Sequence, residues 1–377
     1  MASAPALAVD GFLAGLAPGE TREIDGIKAR REQWGATFFD KRYDRVWAMD
    51  EPTLARHDSA AALAAAMRDR GDPFLTRQPY FLGKVPASRD CTLEAPISVS
   101  WVLNRACQSS CIYCCTNSHA LAHPGIDVAA GIALATTLGR WGALRLIIGG
   151  GEPLLHPDLE AIVETAAAHG LPPVLATNGF LLDESRARAL ATKVAQFQIS
   201  LDSVDERLYA ALRGRAGGPA EALAAVRAAL GVGAGVRVVT VVSSRNLEEL
   251  PRIGEAVHAS GARQWFLFEV QPSGRAARLF PKLRVPEGSD VRGRLARLRD
   301  RWSDMAICYW GDAPDDGIAV YAEPEGRLAI HDYRADSMKE VAAGGADPGS
   351  VRAAWDAVPN ELKRRTLANF TAAERSL

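Results

Sequence analysis

Cys107, Cys111 and Cys114 sit three and two residues apart in the stretch Asn104-Arg105-Ala106-Cys107-Gln108-Ser109-Ser110-Cys111-Ile112-Tyr113-Cys114. Three thiolates on one short loop are ligands for a metal centre, and thiolates are the usual holders of iron–sulfur clusters. A cubane 4Fe–4S cluster bound through only three cysteines keeps one iron open. An open coordination position is what separates a reactive metal site from a closed structural one. The same loop offers a second solution, a zinc site of Cys107, Cys111, Cys114 and His119. Cys115 stands directly beside a ligand and cannot readily turn to the same metal; it and Cys91 read as bystanders.

Other candidate residues stand where apolar runs stop. Gly150-Gly151-Glu152-Pro153 follows the apolar run 144–148. The two glycines let backbone come close to a ligand, and Glu152 can accept a charge-assisted hydrogen bond from an ammonium group. Thr177-Asn178-Gly179 ends a second run and Ser200-Leu201-Asp202 a third. In the third, a period of two puts Gln198, Ser200 and Asp202 on one side, opposite Ile199 and Leu201. Arg213 offers a planar pair of donors suited to a carboxylate. Thr177, Asn178 and Asp202 could equally cap the helices that follow them. In the run 264–270, Trp265, Leu267 and Glu269 alternate with Phe266, Phe268 and Val270. A carboxylate there costs free energy unless paired or turned to a polar cavity, which makes Glu269 a candidate for substrate contact or proton handling. Cys308, with Tyr309 and His331, is a candidate hydrogen or proton donor.

The elements that must position these residues alternate regularly. Strands are expected at 97–103, 144–148, 173–176, 195–201, 236–243 and 264–270, with helices between them at 128–140, 159–169 and 220–230. That pattern implies right-handed βαβ units and a parallel sheet. Six repeats do not close an eight-stranded barrel, so the expected class is α/β with a partial (βα)6 barrel over 95–288. Before it lie an Ala/Gly/Pro-rich, loosely ordered 1–22 and a small winged-helix-like α+β module over 23–75. The module has strands at 27–31, 36–40 and 45–49, a helix starting near Glu51-Pro52, and a second helix over 58–68. A linker is expected over 76–94. The region 289–377 is expected to be a short α+β extension with a helix at 291–302, a hairpin-like stretch and a last helix.

Composition sets the outer bounds. The chain has 377 residues, 48% hydrophobic and 24% charged, values ordinary for a globular protein. A formal net charge of -1 gives no bulk electrostatic case for nucleic acid or an anionic membrane. No apolar run approaches the roughly 20 residues that cross a bilayer, and Asp10, Glu20 and Asp25 interrupt the early apolar residues. Six cysteines, four of them between 107 and 115, do not make a disulfide framework. A reducing cytoplasm is the expected setting.

The cysteine spacing, the aromatic Tyr113, and the Gly-Gly-Glu-Pro, Thr-Asn-Gly and Ser-Leu-Asp motifs, in this order at strand ends, resemble the radical S-adenosylmethionine (radical SAM) enzymes. The resemblance implies one 4Fe–4S cluster on Cys107, Cys111 and Cys114. It further implies that the amino and carboxylate groups of S-adenosylmethionine chelate the open iron, and that the cofactor is cleaved reductively to a 5′-deoxyadenosyl radical. It assigns Tyr113, Gly150, Gly151, Glu152, Thr177, Asn178, Gln198, Ser200, Asp202 and Arg213 to the cofactor site, Ser200 to its carboxylate or ribose and Arg213 to its carboxylate. The N-terminal module resembles the peptide-recognition domains of maturases that modify ribosomally made peptides, in which a leader peptide adds a strand to an open sheet edge. The C-terminal region resembles a worn-down SPASM or twitch extension. Only Cys308 remains of its cysteines, and His331-Asp332 stand about where another is expected, so no auxiliary cluster is implied. The substrate this suggests is a precursor peptide, crosslinked, epimerised or oxidised after hydrogen abstraction. The alternatives are a small molecule (sugar, aminocyclitol or amino acid) and, more remotely, a non-catalytic zinc-dependent binding protein. An external flavodoxin- or ferredoxin-type electron donor is implied by the resemblance alone.

Overall fold

The computed structural model describes residues 13, 15–24, 26–41, 45–54, 80–82, 92–119, 125–215, 218–310, 317–334 and 337–372. The helix expected over 58–68, Cys91 and most of the expected linker lie outside the described residues.

A ten-stranded sheet carries the site. Its parallel centre is β6 (Ser98–Asn104), β7 (Arg145–Gly150), β8 (Val174–Thr177), β9 (Gln196–Ser200), β10 (Val236–Val242) and β11 (Gln264–Glu269). Alternation along these strands decides the two faces. Val99, Trp101 and Leu103 of β6, and Phe197 and Ile199 of β9, are buried in one large core. Helices α2 (Val128–Trp141), α3 (Leu159–Ala168), α4 (Glu184–Leu190), α5 (Glu206–Arg213), α6 (Pro219–Gly231) and α7 (Leu250–Ala259) alternate with the strands. Leu134, Leu138, Ile162 and Val163 of α2 and α3 join the same core. Ser98, Ser100 and Val102, and Gln198 and Ser200, take the opposite, concave face, where they are only half-buried. The helices start and stop on local signals: Asp127 accepts a hydrogen bond from Ala130 N at the start of α2, and Gly142 ends it in the left-handed conformation, φ 93°.

The α/β class with a mostly parallel central sheet is as the sequence implies, but the last quarter of the chain is not an appendage. The Cys308 stretch is β12 (Ala306–Trp310), a seventh parallel strand beside β11. On the far side, β13 (Gly317–Ala322) pairs parallel to β6, and β14 (Leu328–Arg334) and β15 (Ser337–Gly344) continue antiparallel. The expected hairpin-like stretch is thus β13 and β14, grafted onto the first barrel strand. Hairpin formation is local and legible; the choice of strand to pair with in parallel is not. Helix α9 (Val291–Arg301), beyond the short α8 (Phe280–Leu283), leads into β12, and α10 (Pro348–Asp356) and α11 (Asn360–Ala372) follow β15. The sheet runs from β12 to β15 without the two edges pairing, which leaves an open trough.

The N-terminal sheet has order β1 (Thr21–Ile24), β2 (Ile27–Glu32), β3 (Gly35–Asp40), β4 (Arg45–Asp50) and β5 (Tyr80–Leu82). A short α1 (Glu51–Leu54) follows β4. One difference from expectation stands out. Residues 80–82, expected in a linker, pair parallel to β4 and cover that edge. The charged side of β2 is buried: Lys28, Arg30 and Glu32 are at most 2% exposed. Lys28 Nζ donates to Ala143 O (2.8 Å), and Arg30 Nη1 donates to Pro96 O (2.9 Å) and Gly142 O (3.1 Å). Arg30 Nε pairs with Glu32 Oε1 at 2.7 Å, and Glu32 also accepts from Thr37 Oγ1 and Glu94 N. These charges take carbonyls left free at the N-terminal ends of β6 and β7, and so dock the module on the end of the barrel away from the cysteine loop. No helix among the described residues is long and apolar enough to cross a membrane.

Burial, with repulsion from Lys41 and Arg30, pushes the Lys28 ammonium down from its ordinary 10.5 to about 7. Between those values the unfolded chain binds the extra proton, so Lys28 makes stability rise with pH through that window and fall as pH drops to 7. Comparing wild type with Lys28→Met by urea denaturation, we expect their stability difference to move in favour of wild type by on the order of 2 kcal/mol from pH 7 to pH 9. A difference that stays flat over this range shows that the ammonium keeps its charge.

Candidate active site

The cysteine loop leaves β6 and returns to it. Cys107 N donates to His119 O (3.2 Å) and His119 N to Arg105 O (3.1 Å), so backbone closes the loop at its base. Inside it, Cys107 and Cys111 are buried and Cys114 is half-buried, and none is in a disulfide. Cys115 is exposed. His119 thus serves the loop through its backbone. Among the described residues no three His, Cys, Asp or Glu side chains converge on the position of a single ion. A cubane spreads its three thiolates over three irons and needs no such convergence.

Much of what holds the loop comes from residues the sequence assigned to the cofactor. Gly150 has φ 116°, and a Cβ there would lie 2.4 Å from Asn104 O; one on Gly151 would lie 2.1 Å from Ala106 O. The glycines are therefore required by the approach of β7's end to the start of the cysteine loop, before any ligand is considered. Gly151 N donates to Asn104 O and Glu152 N to Ala106 O, each at 2.8 Å. The Glu152 carboxylate is 0% exposed and accepts from Thr177 Oγ1 (2.7 Å), Asn178 N (2.8 Å) and Leu154 N (3.1 Å). Burial raises its pKa, and these donors pull it back. Three of the roughly four acceptor positions of a carboxylate are thereby occupied, leaving one for the expected ammonium.

Thr177 and Asn178 do not cap a helix. Asp183 caps α4, while Asn178 Oδ1 accepts from Phe180 N and its Nδ2 lies 3.9 Å from Cys107 Sγ. Asp202 is not a cap either, since Asp205 caps α5. Asp202 is 1% exposed and accepts from Tyr113 OH (2.6 Å) and Val241 N (2.7 Å), and it forms an ion pair with Arg213 Nε at 2.9 Å. Burial, with the Asp202 charge, pushes the Tyr113 phenol well above its ordinary value, so it remains a donor. Arg213 Nη1 donates to Cys111 Sγ (3.5 Å), and the carbonyls of Leu212 and Arg213 accept from Ile112 N and Ser110 N at 2.9 Å. The last carbonyls of α5, which the helix itself cannot satisfy, are thus used to hold the loop.

The thiols differ. Burial pushes Cys107 up to about 11, with Glu152 and the neighbouring cysteines adding to the rise. Burial acts on Cys114 in the same direction, but hydrogen bonds from the Thr116 hydroxyl and the Ser118 and Thr116 amides, with the charge of Arg275, bring it below its ordinary value.

Two buried polar atoms lack a partner where the resemblance puts the cofactor: Arg213 Nη2 and Gln198 Oε1. A buried donor and acceptor left unmade are costly, and a ligand with both a carboxylate and donor groups satisfies them. This donor and acceptor therefore fit S-adenosylmethionine, and the thiols of Cys107, Cys111 and Cys114 are the groups that would hold the cluster. Ser200 is half-buried on the concave face beside them.

The catalytic candidates separate. Cys308, 5% exposed, packs with Val239 and Phe266, and its register with Phe266 puts it on the concave wall. Glu269 takes the other face: it shares a side with Trp265, Leu267 and, across the ladder, Val242, and accepts from Tyr309 OH at 2.9 Å. The carboxylate that looked like a substrate contact is instead paired on the helix side of the sheet. His331 lies against Tyr321, ring centroids 5.5 Å apart, on the side of the sheet that Tyr321 shares with Ser100. Sequence reasoning missed Asn104, whose Nδ2 donates to Glu152 O (3.0 Å), Thr116, whose hydroxyl donates to Gly150 O (3.0 Å), and Arg275. A polar Asn closing an apolar strand was the one available signal.

A partial α/β barrel with three free thiols on the loop after its first strand, and glycine and carboxylate motifs on the next strand ends, defines a class of cofactor-dependent enzyme. Residues 101–257 match the family model of the Radical SAM superfamily. Members use a 4Fe–4S cluster and S-adenosylmethionine. The chain is 31% identical over 201 residues to the mycofactocin maturase MftC of Mycobacterium ulcerans (strain Agy99), covering 53% of this chain and 54% of that protein. It is 31% identical over 193 residues to the AdoMet-dependent heme synthase of Methanosarcina barkeri (strain Fusaro / DSM 804), covering 48% and 53%. The chain thus spans about half the length of the curated relatives it matches. In fold it is similar to Streptococcus suis SuiB, with a TM-score of 0.61 for the S-adenosylmethionine complex and 0.57 for the complex with precursor peptide SuiA. Identity is 13%, with 81% and 82% of each chain covered.

Removing the charge of Asp202 leaves Arg213 buried without its anion. We expect Asp202→Asn to cost about 3–5 kcal/mol in denaturant titration of the metal-free protein, and Tyr113→Phe only about 1 kcal/mol. Equal costs for the two variants would show that the ion pair is not what braces the loop.

Proposed function

We propose that this protein cleaves S-adenosylmethionine reductively and abstracts a hydrogen atom from a ribosomally made precursor peptide. The observation that carries the reading is the N-terminal sheet locked to the barrel by Lys28 and Arg30. Cofactor cleavage itself has no need of such a module, and its outer strand β1 has no further strand beside it among the described residues. An extended leader peptide can add to such an edge through main-chain hydrogen bonds, with side chains giving specificity. The open trough between β12 and β15 suits a polymer better than a sealed pocket would. The PqqA peptide cyclase of Granulibacter bethesdensis, 28% identical over 186 residues, and the precursor-peptide complex of SuiB support the same substrate class.

When bound, the cluster and S-adenosylmethionine supply the radical. This chain's own residues then orient the substrate and keep water out: Val239, Phe266 and Cys308 make an apolar wall, and Ser100, Gln198 and Ser200 a polar floor. Module and cysteine loop lie at opposite ends of β7, whose six residues span roughly 20 Å. The docked segment and the reacting residue are therefore separated by at least about six extended residues. The electron donor is proposed to be an external flavodoxin or ferredoxin.

The heme synthase relative favours a second reading, a small-molecule substrate with the module as a cap. Anaerobically reconstituted full-length protein separates the two. Under dithionite we expect 5′-deoxyadenosine, rising several-fold with a peptide encoded beside this chain, and a mass change in that peptide. Iron loading and 5′-deoxyadenosine without peptide affinity would favour the small molecule. A single bound zinc and no 5′-deoxyadenosine would remove both.

A further inference from the structure

The anchors of the cysteine loop described so far come from β7 to β9 and the helix after β9. One more comes from the far side of the barrel, just past β11. Gly274 has φ 53°, and a Cβ there would stand 2.4 Å from both Cys114 O and Cys115 O. Backbone at this point lies directly on the cysteine loop. The next residue, Arg275, grips three loop carbonyls. Its backbone N donates to Cys114 O (2.8 Å), its Nε to Cys111 O (2.8 Å) and its Nη2 to Ser118 O (2.5 Å). Those carbonyls bracket the second half of the loop, where Asn117 takes the left-handed conformation (φ 55°).

We propose that Arg275 is a positioning residue for the cluster: it fixes the segment from Cys111 to Ser118 in ligating conformation and sets a permanent positive charge beside Cys114. The inference rests on the assignment of the cluster to Cys107, Cys111 and Cys114. A planar guanidinium spans two carbonyls in a fixed fork, which an ammonium cannot reproduce. Net charge and hydrogen bonding around the sulfurs set a cluster's potential, and a nearby cation favours the state holding one more electron. Arg275 therefore couples the end of the last core barrel strand to the ease of reducing the centre held after the first.

Three full-length variants test this: Arg275→Met, Arg275→Lys and, as control, Cys111→Ala. In the metal-free protein, Arg275→Met is expected to speed amide exchange across 111–118 by roughly tenfold or more, with exchange elsewhere unchanged. After reconstitution its midpoint potential, followed by EPR-monitored titration, shifts to more negative values. Arg275→Lys exchanges faster in the same segment but keeps a midpoint near wild type, because the charge remains. Wild-type exchange and midpoint in Arg275→Met, alongside a Cys111→Ala variant that loses its iron, overturn the proposal and leave the cluster assignment standing. Exchange that rises throughout Arg275→Met overturns it in favour of a general core role. Iron retained in full by Cys111→Ala removes the assignment beneath it.

Discussion

A single buried residue, through its carboxylate and its backbone, ties together the ends of three strands. Glu152 receives Thr177 and Asn178 from the end of β8, holds its own turn through Leu154, and meets the exit of β6 through Asn104 and Ala106. A carboxyl group taken fully out of water is tolerable only where fixed dipoles replace the lost hydration. Here the replacement donors come from the residue's own turn, at Leu154, and from the end of β8, at Thr177 and Asn178. The same requirement that stabilises the carboxylate therefore aligns the strand ends that must face a common ligand.

The cysteine loop depends on that alignment for a related reason. It has little regular structure, so its backbone groups must find partners elsewhere. The end of α5 takes Ser110 and Ile112, Glu152 takes Ala106, and Arg275 takes Cys111, Cys114 and Ser118. Asp202 does for the phenol of Tyr113 and the guanidinium of Arg213 what Glu152 does for the strand ends. Two buried acids thus hold a loop whose thiols stay unpaired. Arg213 Nη2 and Gln198 Oε1 are the polar atoms of this group left without a protein partner.

The roles of individual residues were less legible than their locations. Gly150, Gly151, Glu152, Thr177, Asn178, Asp202 and Arg213 all gather at the cysteine loop, yet most are turned to one another. Sequence marks a residue as suited to hydrogen bonding; it does not say whether the partner is ligand or protein. Glu269 shows this most clearly, since its parity along β11 was readable but the face belonging to the trough was not. Arg275 carried no signal, because an arginine after a strand is ordinary until the carbonyls it reaches are known. Likewise Lys28, Arg30 and Glu32 look like a solvated side of β2, and only the approach of the barrel makes that side an interior.

The order of strands β6 to β11, the parallel α/β class and the chemistry of three thiols on one loop were determined by the sequence itself, through local periodicity and spacing. Tertiary structure alone decided that β12 and β13 extend opposite edges of the barrel sheet, that the N-terminal charges face inward, and that a residue past β11 closes on the cysteine loop. Such contacts join segments whose separation along the chain leaves no periodic trace. They are selected only when desolvated backbone and charged groups must each find a partner in one folded arrangement.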